Sequence, residues 1–319
     1  MTRRATRLCA DHLGRLYREL PRSHAAGRDR SAALAVMSPD TLSVSLRALS
    51  FVVLLQASGV ATFVALHRPY LEGSAAAIRR FGLMSALIAI PVLVAQYLLE
   101  AARMADDLMG IFDPSLQRLA WGTPLAGTLE LRIVGLALVA CALAGVTASR
   151  AVLGLIGSAV IAISFACMGH TSVSAWRPVL APLLIIHVYV AAFWFGALPA
   201  LYLVTLREAP DRAGRVIAAF SRYAIRLVPA LAIAGFLSSV ILIRRTAVLR
   251  EPYGWLLSAK VVGFVALLAL ASQNRSRLGP SVAAGTPTGF RRALTAEYVL
   301  IAAVLAVTAC MTTFFSPNE

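Results

Sequence analysis

Eight apolar stretches, each close to the length needed to cross a lipid bilayer, recur along this 319-residue chain with only short polar gaps between them. A hydrocarbon core of about 30 Å crossed at about 1.5 Å per residue needs about 20 apolar residues. The stretches run from Leu46 to Leu66, Ile78 to Leu99, Leu129 to Ala148, Ala151 to Gly169, Val179 to Val204, Leu227 to Ile243, Trp255 to Ala271 and Leu294 to Phe314. None alternates with period two, and an unpaired strand edge in lipid leaves backbone groups without partners. The sequence therefore predicts an all-α, polytopic membrane bundle of about eight transmembrane helices. The sixth and seventh stretches are short and are expected to extend into their flanks. Pro91, Pro182, Pro199 and Pro229 fall inside helices.

Composition agrees with burial in lipid. Hydrophobic residues make up 59% of the chain and charged residues 14%, whereas soluble domains average about 45–50% and 25%. The net charge of +15 raises nucleic acid as a partner. Its arginines lie between apolar runs and form no continuous basic face, so nucleic-acid binding is excluded. Cys9, Cys141, Cys167 and Cys310 include no close pair, which argues against a disulfide framework.

Arginine placement gives an orientation. The odd-numbered connections between spans hold thirteen arginines and the even-numbered ones six. Retained loops carry the basic excess, so both ends of the helical domain are expected on the outer, periplasmic side. The leading tail, residues 1–43, carries eight further arginines that argue the reverse. Reading Met37 as the true start removes the conflict, and the tail, which lacks a signal-peptide core, is expected to be disordered. The membrane domain is placed at 44–315.

Ionisable side chains inside spans cost a few kcal/mol each and are functional candidates by default. They are His187, Lys260 and Glu297, with Glu130 and Arg132 at the head of the third span. Lys260, the sole lysine of the chain, either snorkels to the interface or pairs with a carboxylate or ligand. Glu297 either pairs with Arg291 or Arg292 or serves a site. Glu130 and Arg132 lie two apart and need different partners.

The run Cys167-Met168-Gly169-His170 closes the fourth span and His187 lies about two turns into the fifth, a hairpin that brings them to one side. Cys310 and Met311 end the last span on that side, and Met104 and Met109 lie in the connection after the second. Thioether, thiolate and imidazole suit Cu(I), whereas a hard cation calls for clustered carboxylates. The candidate metal residues are His170, His187, Met168, Cys167, Cys310 and Met311. Each also has an ordinary reading, as packing for Met and Cys or as a satisfied imidazole for His.

The Gly169-His170 end of the fourth span, the run HVYVAAFWFGAL from His187 to Leu198, Phe220-Ser221-Arg222, Pro252-Tyr253-Gly254 with Lys260, Gln273-Asn274-Arg275 and Glu297 recur in order. With them the chain resembles the copper resistance protein D (CopD) family of bacterial inner-membrane proteins, best over 167–315. The first half is similar more loosely, through Gly59, Phe63 and Arg132. Ser50 stands where a histidine is expected in the family, so one ligand is missing. The resemblance implies a non-enzymatic protein that moves copper from periplasm to cytoplasm and receives it from a periplasmic CopC-type carrier. The competing expectation is a cytochrome b-type electron-transfer protein with haem on His170 or His187, for which the histidines near the bilayer are few.

Overall fold

The computed structural model describes residues 39–145, 149–169, 172, 174–243 and 245–315. Its regular elements are all helical, and no strand occurs among the described residues. The spans are α1 (Pro39–His67), α2 (Ala75–Ala105), α4 (Pro124–Ala144), α5 (Arg150–Ala166), α6 (Arg177–Arg207), α7 (Pro210–Leu242), α8 (Pro252–Gln273) and α10 (Thr288–Phe314), with short helices α3 (Pro114–Trp121) and α9 (Gly279–Ala283) in connections. Seven of these are long and apolar enough to cross a membrane; the other, α5, is an apolar helix of 17 residues. At 1.5 Å per residue α5 covers about 25 Å, slightly less than the hydrocarbon core.

Several expected boundaries move. The first helix begins at Pro39, inside the stretch assigned to the tail, and the sixth span grows into the 33-residue α7. The four prolines lie within α2, α6 and α7. The connection expected from Glu100 to Thr128 is largely helical: α2 runs on to Ala105, a 3-10 turn covers Leu108–Phe112, and α3 follows. Asp113 starts α3 by accepting hydrogen bonds from Ser115 N and Leu116 N, and Thr123 caps α4 through Leu125 N. The connection expected from Ser272 to Arg292 contains a π-helical segment, Asn274–Leu278, followed by α9.

Side-chain ties sort the helix ends into two faces. At the first face Arg47 Nη1 donates to Thr312 O at 2.9 Å, and Arg103 Nε donates to Asp40 Oδ1 at 3.1 Å, joining the start of α1 to the ends of α10 and α2. At the second face Glu208 Oε1, just after α6, accepts from Glu72 N, Ser74 N and Ser74 Oγ at 3.0, 2.9 and 2.6 Å. Arg212 pairs with Glu72 beside it.

Helix α1 is the hub. It packs against α2, α4, α5, α6 and α10, and 67% of its apolar stretch is buried, against 11% for α7 and for α8. A close α1–α6 approach makes this possible. A Cβ built on Gly59 would lie 1.8 Å from Ala192 O, and one on Gly196 would lie 2.4 Å from Val60 N. Without a driving force from water, membrane helices gain their packing from such small-residue contacts. Phe63, Phe193 and Phe195 fill the adjoining core.

Candidate functional site

His187, in the half of α6 nearer the first face, turns toward α7. Its Nδ1 lies 3.0 Å from Leu231 O. A carbonyl only accepts, so Nδ1 carries the proton and the Nε2 lone pair is free. The fit is close on the α7 side: a Cβ on Gly235 would stand 3.0 Å from the imidazole. Lys260 stands on α8. Among the described residues Lys260 has no carboxylate within salt-bridge distance. The paired-carboxylate alternative for this lysine therefore finds no partner among the described residues.

Two residues further along α6 the chain faces the hub. Tyr189 lies near Thr62 of α1, and Gln56, 2% exposed and nearly two turns before Thr62, has both side-chain polar atoms buried without a partner. His67 ends α1 at the second face and is fully buried. Its Nδ1 lies 3.0 Å from Phe63 O, while Nε2 has no partner. Phe63 stacks on the imidazole at 4.3 Å between centroids and Tyr223 meets it edge-on at 5.6 Å.

Glu297 is enclosed between the spans, 2% exposed. The expectation that it pairs with Arg291 or Arg292 is wrong. It accepts a hydrogen bond from Trp194 Nε1 of α6 at 3.2 Å and another from Asn274 Nδ2 of the π-helical segment. Arg291 instead serves the C-terminal turn of α6, donating through Nε to Thr205 Oγ1 at 2.9 Å and through Nη2 to Thr205 O. The helical pitch explains the difference: Arg291 lies nearly two turns before Glu297, level with the end of α6.

Arg132, 7% exposed, donates through Nε to Ser164 Oγ at 3.3 Å and lies 4.9 Å over the Phe165 ring, tying α4 to α5. Glu130 is exposed, so the two charges do part company.

The proposed metal residues are distributed around the first face. Met168 and Cys167 follow α5, with Cys167 Sγ donating toward Ile163 O at 3.6 Å. Cys310 and Met311 lie in the last turns of α10. Helices α5 and α10 both pack on α1 and α6 but not side by side, so these two pairs belong to separate edges of the hub. Met104 closes α2 and Met109 sits in the 3-10 turn, both exposed at the same face. His170 lies outside the described residues. Among those described, no group of three or more His, Cys, Asp or Glu side chains could hold a metal ion.

Sequence reasoning missed His67, Gln56, Trp194 and Asn274 as parts of polar sites. Trp194 and Asn274 do stand in the quoted runs, but only the crossing of α6, α10 and the π-helical segment aims them at Glu297.

Fold and sites together define a multi-pass helical membrane protein with polar and ionisable groups enclosed between its spans. Residues 37–179 match the copper resistance protein D-like N-terminal domain, and residues 214–311 match copper resistance protein D. The chain belongs to the copper resistance protein D family, and its first half, similar only loosely by its few shared residues, is matched as well. No curated protein and no solved structure matches it.

Proposed function

We propose that this copper resistance protein is a carrier, not an enzyme, that moves copper across the bacterial inner membrane from the periplasm at the first face to the cytoplasm at the second. The observation that carries this reading is the state of His187. Its Nδ1–H is held by the Leu231 carbonyl, the outer-shell arrangement that orients metal-binding imidazoles and leaves Nε2 to the ion. Four thioethers, Met104, Met109, Met168 and Met311, lie at the first face as soft donors. Orientation rests on the arginine-rich connections of the second face.

In this mechanism copper, handed over by a periplasmic CopC-type carrier, meets Met168 and His170, passes to His187 and leaves at the second face. Cys167, Cys310 and Met311 supply further soft donors at the entrance. Lys260 and Glu297 set the charge balance between the spans. Metal analysis of detergent-purified protein, with and without reductant, tests the reading. Copper should co-purify with the reduced wild type, and His170→Ala combined with His187→Ala should lower both the bound copper and cellular copper accumulation at least tenfold. Unchanged accumulation in the double variant overturns the route. A Soret band in the purified protein would instead favour the haem-bearing electron-transfer reading.

A further inference from the structure

We propose that Glu297 is a proton-binding site which takes up and releases a proton as copper moves, a role that rests on the transport reading above. The carboxylate is held by two neutral donors, the Trp194 indole and the Asn274 amide, one on each oxygen. Among the described residues no cationic side chain lies within ion-pair distance of it. The groups that face it from the packed elements are consistent with this. On its own helix Arg291 is committed to Thr205. On the π-helical segment Arg275 and Arg277 are exposed. On α1 the ionisable groups are Asp40 and Arg47 near the first face and His67 within its aromatic surround. Lys260 lies toward the opposite end of α8. A structural ion pair therefore does not explain why an acid is kept here, and an ionisable group enclosed in a span is a functional candidate by default.

The amide beside it is suited to both states. Asn274 Nδ2 donates to the ionised acid, while its Oδ1 is buried with no partner. After protonation a rotation of the amide presents Oδ1 to accept the new O–H of Glu297. One proton is gained from water and the same proton is returned to water, so charge and atoms balance. The amide sits on a π-helical turn, a backbone distortion that recurs at functional sites.

Infrared difference spectroscopy of the full-length protein in lipid vesicles tests this without copper. The wild type should show a carboxylic-acid C=O band that grows as pH falls and shifts in deuterated water. Glu297→Gln should abolish that band, Glu297→Asp should restore a displaced one, and Trp194→Phe should move it. Thr295→Val, on the exposed side of the same helix, should leave it in place. In the same vesicles, an internal pH dye should report proton movement on copper addition, reduced at least tenfold in Glu297→Gln. Absence of a titrating band that depends on Glu297 overturns the proposal. Copper movement with no proton movement in the wild type also overturns it while leaving copper transport standing; a titrating band without any copper movement counts instead against the transport reading.

Discussion

Replacing Gly59 by alanine probes the packing on which the whole bundle depends. The added Cβ would be 1.8 Å from Ala192 O, 2.7 Å from Ala192 C and 2.9 Å from Gly196 Cα. All three are backbone atoms, so no side chain can rotate out of the way. An ordinary contact of about 3.4 Å requires α1 and α6 to part by about 1.5 Å near their crossing. A gap of 0.5–1 Å already forfeits a quarter to a half of each dispersion contact. Overpacking typically costs about 1–3 kcal/mol, and this site belongs at the upper end because the hub helix itself must move. Alanine returns about 1 kcal/mol through helix propensity, leaving a net loss of about 2 kcal/mol, or roughly thirtyfold in the folding equilibrium. Gly127→Ala is the matched comparison, since nothing lies within 4 Å of its added Cβ. That variant should be neutral or stabilised by up to about 1 kcal/mol. Reversible unfolding in mixed micelles measures both. Equal stability of Gly59→Ala and the wild type would refute the close-crossing argument.

Glu208→Ala removes the acceptor of three hydrogen bonds that anchor the α1–α2 connection. It should cost about 1–3 kcal/mol, the penalty for stranding partly buried donors, and amide exchange at Glu72 and Ser74 should accelerate. At Asp113, hydrogen bonds from the Ser115 hydroxyl, Ser115 N and Leu116 N hold the carboxyl below the usual carboxylate range. Its folded pKa is thus depressed, and its contribution is complete above the unfolded carboxylate pKa and disappears as pH falls through the folded one. Helix α3 should accordingly fray in acid, read from Ser115 and Leu116 amide shifts, while Asp113→Asn should remove most of that pH dependence.

Hydrophobic length and the scarcity of charge were enough, without any coordinates, to establish an all-helical membrane bundle, because lipid leaves the backbone no other way to satisfy its own polar groups. They also singled out His187, Lys260, Glu297 and Arg132, since an ionisable group in a span stands out against apolar neighbours. Partners were another matter. Glu297 has arginines nearby in sequence, yet the crossing of α6 with α10 gives it Trp194 and Asn274 and sends Arg291 to Thr205. His67 reads as a residue at the end of a span, and only the convergence of Phe63, Phe193, Phe220 and Tyr223 encloses it. A helix's period fixes which residues share a face; which helix that face meets depends on contacts between separate segments, 86 residues apart for Thr205 and Arg291 and 103 for Trp194 and Glu297, and these exist only in the assembled bundle.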